Sequence, residues 1–410
     1  MRYDVIVAGA GPAGSTAARE CAARGLSVLL LDKATFPRDK PCGGGVTVRT
    51  ANLLPFPVAP VTERVAHGVS FSLRQSGAFV RRTPEPLVYL VQRRRLDAYL
   101  VERAVTAGAE LRERSPIQEV TPRPTGVEVR AGDVTFTADA LVAADGAHSR
   151  TARLAGIRTD RWLAFALEGN ITPSADVAAR WAGLLALDLG GMPGGYGWLF
   201  PKGDHLNIGV GGWATAGPTL RARLDELTRG YGLDPAQLWG LRGHPLPVRR
   251  PDAPLASGRV LLVGDAAGLV DPFGYEGIYA AVWSGKAAAR HLATELDKPS
   301  PDFQPYAQEI ASGLLPDIRA GHEIRDLFHL IPSVVVAAMR RTPWLWLAFC
   351  GVLRGEIGYA DVRTNLGPLS PAFRLALTAM RTVPPLRHRT GPPERNGRET
   401  VAREPAMAGP

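Results

Sequence analysis

The chain has 410 residues, 45% of them hydrophobic and 21% charged; this is the composition of a soluble globular protein, too long for one ordinary core, so two domains plus extensions are expected. Its formal charge is +9, but the basic residues are spread out without regular aromatic interleaving, and residues 387–410 carry five Arg and three Glu, so no nucleic-acid partner is expected. The three cysteines, Cys21, Cys42 and Cys350, lie far apart, which implies neither a disulfide framework nor a metal site and points to a reducing cytoplasm.

Residues 3–8 are an apolar run rich in Val and Ile, as in a buried parallel strand, and they lead into Gly9, Ala10, Gly11, Pro12, Ala13 and Gly14. A helix is predicted to follow. In a dinucleotide-binding turn Gly9 permits the sharp bend, Gly11 lets the backbone approach a pyrophosphate, and Gly14 lets the helix pack closely on the strand. Ala13 belongs to the same turn, and the helix N-terminus favours an anion. Residues 27–31 form a second strand. Asp32 ends it where an acidic side chain accepts from ribose hydroxyls, and the adjoining Lys33 joins the cofactor-binding candidates. A strand that starts at residue 3 leaves no room for a secretory or transit peptide, so a cytoplasmic location is expected, with peripheral membrane contact left open.

Strands are predicted at 68–73, 78–82 and 87–92, then a helix through Leu96, Leu100 and Val105. Residues 117–120, 127–130 and 134–137 read as a meander, and 140–144 as a buried strand ending at Asp145 and Gly146. Residues 157–254 are strand-rich, 260–263 return to the first sheet, and 277–296 form a long helix. The expected architecture is α/β. A Rossmann-like cofactor domain spans 1–50, 84–156 and 255–300, and a strand-rich substrate domain spans 51–83 and 157–254. Helices follow at 301–386, then a disordered tail at 387–410. Apolar stretches at 327–338 and 344–353 are too short to cross a bilayer. They suit helix packing or an interfacial position.

The glycine turn alone does not choose between NAD and FAD. Four segments taken with it resemble a known superfamily, the aromatic-hydroxylase-like flavoproteins. Arg93-Arg94-Arg95-Leu96-Asp97 resembles its R-x-x-F-D signature, with Leu96 in place of Phe; Asp145-Gly146 resembles its D-G motif, and Gly264-Asp265 its second flavin motif. The segment from Asp271 through Gly274 and Gly277 to Ile278 resembles the one that brings a helix N-terminus to the isoalloxazine edge. The resemblance implies FAD as cofactor, with Asp265 on its ribityl or ribose portion and Arg93 near its phosphates or the re-entrant flavin loop. Within the superfamily, Pro41-Cys42-Gly43-Gly44-Gly45 and Tyr196-Gly197-Trp198-Leu199-Phe200-Pro201 are similar to the P-C-G-G-G and Y-x-W-x-F-P motifs of the geranylgeranyl reductase family.

That resemblance implies reduction of prenyl double bonds, with hydride from reduced flavin to one carbon and a proton to the other. It places Cys42 near flavin and substrate, as a proton donor or a positioning group. Tyr196, Trp198 and Phe200 alternate along a strand, so they share a face suited to a greasy substrate. Glu276 orients the flavin loop, joins a proton relay, or is an exposed loop carboxylate, and His148 and His205 receive no catalytic role. A prenyl-bearing small molecule or lipid is the expected partner, and NAD(P)H, ferredoxin or a quinol the electron donor. The alternatives are an FAD-dependent monooxygenase or halogenase acting on an aromatic or polyketide-like substrate, and a noncatalytic prenyl-lipid carrier.

Overall fold

The structure is a computed structural model that describes residues 2–364. The expected tail at 387–410, and residues 365–386 of the expected helical region, lie outside the described residues.

The first sheet is built on five parallel strands in the order Val260–Leu262, Val134–Ala143, Arg2–Ala8, Val28–Leu31 and Glu110–Arg112. Val5, Ile6, Val7, Leu29 and Leu30 are all fully buried, because both faces of the sheet are covered, by helices and by the meander strands that share its core, and no polar side is left to alternate with. The helices Pro12–Ala22 and Ile278–Glu295 pack together at close range, since a Cβ on Gly285 would stand 2.6 Å from the Ala13 carbonyl oxygen. Residues more than 250 apart therefore meet at the C-terminal ends of the parallel strands, where the two glycine turns lie.

The sequence suggested separate strands at 134–137 and 140–144. They are one strand, Val134–Ala143. Its first half pairs antiparallel with Gly126–Ala131 and its second half runs parallel to Val260–Leu262. Asp139, the polar residue that seems to break the apolar run, is met at the sheet edge by Arg2 at 2.7 Å, so the strand continues through it.

The second sheet has seven strands in the order Trp239–Arg249, Arg161–Ile171, Leu206–Trp213, Tyr196–Pro201, Leu184–Leu189, Gly68–Leu73 and Ser76–Arg82. Leu206–Trp213 is buried along its whole length. Three of its residues are glycine, and the Trp198 ring occupies the room this leaves: a Cβ on Gly209 would stand 2.0 Å from that ring. Thr62–Ala66 pairs instead with Val88–Val91, which also pairs with Gly45–Thr47, in a small three-stranded sheet. The helices Pro332–Arg341 and Pro343–Arg354 each begin at a proline, a position that needs no N–H partner. They close over the second sheet, with Trp346 and Phe349 edge-on to Phe71. Among the described residues no helix is long and apolar enough to cross a membrane.

Candidate active site

One cavity of about 1160 Å³ runs between the two sheets and under the C-terminal helices. Its polar end is lined by Gly9, Gly11, Ala13, Asp32, Lys33, Arg93, Asp145, Gly146 and Asp265, and Gly274, Gly277 and Ile278 follow toward the middle. Gly14 and Gly264, also expected to bind cofactor, stand behind this wall and serve packing. A Cβ on Gly14 would lie 1.8 Å from the Gly9 carbonyl oxygen, and one on Gly264 would lie 3.0 Å from the Ala13 Cβ.

Gly11 differs in kind. A Cβ there would meet only the tip of Arg38, at 3.7 Å, so nothing in the protein itself demands a glycine at this point. A ligand backbone passing close by does demand it, which is the fit expected of a dinucleotide pyrophosphate. Asp32 accepts from Ala10 N at 2.7 Å and from Ala34 N at 2.8 Å. These bonds hold the carboxylate at the end of its strand, facing the cavity. Asp145 takes the Thr151 amide on one oxygen at 2.7 Å, while the other is buried without a partner. Arg93 spans both oxygens of Asp97 at 2.7 and 2.8 Å, and Arg38 reaches the same carboxylate at 3.1 Å. The spacing of the R-x-x-x-D segment is thus that of a buried ion pair within one helix, whose arginine still borders the cavity.

In the middle of the cavity three segments converge. Cys42 lines it, with Sγ accepting from Gly44 N at 3.3 Å. The glycine loop lies flat on the aromatic strand, since a Cβ on Gly43 would stand 2.9 Å from the Phe200 ring and 3.3 Å from Trp198 Nε1. Tyr196, Trp198 and Phe200 all face the cavity. The Tyr196 hydroxyl donates to the Gly274 carbonyl at 2.6 Å, tying the strand to the loop before the long helix. Beyond these groups the walls are apolar, with Leu185, Leu187, Phe328, Met339, Phe349 and Val352 among them.

Arg49, Tyr359 and Glu168, which line the cavity, and Lys202 behind it were given no role by the sequence. Arg49 pairs with Glu276 at 3.3 Å and lies over the Tyr279 ring at 4.2 Å. Glu276 also accepts from Tyr279 N at 2.7 Å, so it is a half-buried helix-capping carboxylate and not an exposed loop residue. Burial raises its pKa, and that of neighbouring Asp271, against the pull of Arg49. Tyr359 donates to Asp271 at 2.8 Å. Glu168 accepts the Cys42 amide at 2.8 Å, and Lys202 donates to the carbonyls of Gly43 and Val91. A single Glu in a strand, or a Lys just after one, carries no spacing pattern; only the pairing of distant segments brings these to the loop. His205 bonds the exposed Asp204 at 2.7 Å. Among the described residues no group of His, Cys, Asp or Glu is arranged to hold a metal.

Residues 2–183 match the model of a family described as an FAD binding domain. The menaquinone reductase of Mycolicibacterium smegmatis is 35% identical over 72% of this chain and 77% of its own length. Digeranylgeranylglycerophospholipid reductase 1 of Methanopyrus kandleri is 32% identical over 82% of this chain and 90% of its own. The crystal structure of a geranylgeranyl bacteriochlorophyll reductase-like protein from Thermoplasma acidophilum superposes with a TM-score of 0.71, at 26% identity, over 79% of this chain and 88% of that one. An FAD-type cofactor groove, a P-C-G-G-G loop and an aromatic strand meeting at one cavity, together with this similarity over most of the length, show that the chain belongs to the geranylgeranyl reductase family of FAD-dependent oxidoreductases.

Proposed function

We propose that this protein reduces carbon–carbon double bonds in a prenyl chain, geranylgeranyl or polyprenyl. The observation that carries the reading is the continuity of one cavity: its polar end fits a dinucleotide, its far end is hydrocarbon, and Cys42 with the aromatic strand stands between. The candidate cofactor residues are those of the polar end, and FAD bound there supplies the two-electron reduction.

The chain's own groups supply the rest. Tyr196, Trp198 and Phe200 hold the alkene in place by apolar contact, which converts an encounter into an oriented approach. The apolar walls beside the aromatic strand exclude water from the alkene, and Cys42 Sγ–H is the donor for the second carbon. Ile331 and Val334 line the apolar end yet are 37% and 60% exposed, so the hydrocarbon end reaches the surface there, as suits a chain drawn from a lipid surface. NAD(P)H, a reduced ferredoxin or a quinol supplies the electrons.

The test is a comparison of lipids from cells with and without the protein by mass spectrometry. Loss of the protein is expected to shift a prenylated lipid or quinone toward the unsaturated form, by two hydrogens for each bond reduced. Unchanged lipids, together with oxygen-dependent hydroxylation or halogenation of an aromatic compound by the purified enzyme, would instead establish the monooxygenase or halogenase alternative.

A further inference from the structure

The Cys42 loop is fastened by two buried ionisable groups, one on the second sheet in Arg161–Ile171 and one just past the end of its strand Tyr196–Pro201. Glu168, 9% exposed, accepts the Cys42 amide at 2.8 Å; Lys202, 4% exposed, holds the next carbonyl, Gly43, and Val91 O at 3.0 Å. Asn207 is the third member. It accepts from Trp198 Nε1 at 2.8 Å, donates to Asn170 at 3.0 Å, and sits beside the Glu168 carboxylate. One network therefore grips both the thiol-bearing loop and the aromatic ring beside it.

We propose that Glu168 is a positioning residue for Cys42: its carboxylate on the Cys42 amide, with Lys202 on the adjoining carbonyl, fixes where the thiol stands over the cavity. Its consequence for catalysis rests on the function proposed above; the clamp itself does not. An ionised carboxylate holds an N–H more strongly than a neutral one, so the grip depends on the charge of Glu168. Burial, aided by the Asp39 charge, pushes that carboxyl up to about 7, against the Cys42 amide, Lys202 and Asn207, which favour the anion. Burial brings Lys202 down to about 8. Arg242, opposite Glu168 in the sheet register, is paired to Asp39 at 3.1 Å. Lys40 and Arg93 face the thiol from the cofactor side.

The test uses holoenzyme, wild type, Glu168→Gln and Lys202→Met. Cys21 and Cys350 are buried, so alkylation by iodoacetamide reports Cys42. In wild type the rate per thiolate should fall about three- to tenfold between pH 6 and pH 8 as the clamp tightens. Glu168→Gln keeps the amide partner and should remove this step. Lys202→Met should keep it and move it to higher pH, because the nearby cation is gone. A step unchanged in Glu168→Gln overturns the proposal, as does its absence in a wild type that binds flavin fully. In parallel, Glu168→Gln should flatten the acid limb of the kcat–pH profile with prenyl substrate while KM holds. Should wild type not turn over such a substrate at all, the function proposed above fails and the alkylation profile still decides the clamp.

Discussion

Gly11→Val is expected to give a folded protein that no longer takes up FAD. The added side chain enters open space, its first atom 3.7 Å from a single arginine tip, so the loss of fold stability should stay within about 1 kcal/mol. It also fills the path of the cofactor backbone, and a steric block of that kind lowers affinity by on the order of a hundredfold or more. Neighbouring glycines should behave differently. Gly9 sits at φ +99°, and a Cβ there would press on Ala144 at 2.6 Å; one at Gly14 would stand 1.8 Å from the Gly9 oxygen. Substitution at either should damage the strand–helix junction itself. Thermal melts of the apoproteins with visible absorbance after reconstitution separate the cases. The claim for Gly11 would be lost if its valine variant bound FAD normally, or if it melted as early as the Gly14 variant.

Cys42→Ala is expected to leave FAD content and fold intact and to lower the rate of alkene reduction by about a hundred- to a thousandfold, the range for removing a positioned proton donor. The thiol lines the cavity, accepts from Gly44 N at 3.3 Å and is faced by the Arg93 guanidinium, which keeps its own partner in Asp97, so little of the fold depends on the thiol. Fold retention follows from the small volume removed at the cavity surface. Cys42→Ser, which keeps a proton on a shorter arm, should recover part of the rate. The measurement is single-turnover kinetics at matched flavin occupancy. Full turnover by Cys42→Ala would dismiss the thiol as proton donor and leave the loop a structural role.

The first sheet and its two glycine turns were legible because each step there is local: an apolar run, a turn that only glycine permits, a strand-ending acid. The aromatic strand was legible for the same reason, since period-two alternation places Tyr196, Trp198 and Phe200 on one face, and all three line the cavity. What escaped was whatever depends on pairing across the sheets. Glu168 meets Cys42 over 126 residues and Lys202 meets Gly43 over 159, and no pattern near either residue announces the partner. Glu276 stayed open between several roles because its helix cap is local but its Arg49 partner is 227 residues away. The joined strand Val134–Ala143 escaped because Asp139 looks like a break until Arg2 is seen beside it.

The most direct measurement is an anaerobic single turnover: reduced holoenzyme mixed with an unsaturated prenyl substrate, followed by flavin absorbance and product mass. The expected result is flavin reoxidation in step with a product heavier by two hydrogens, and no reoxidation with the saturated chain. Flavin that stays reduced in the presence of the unsaturated chain, across quinone, diphosphate and glycerolipid head groups, would contradict it.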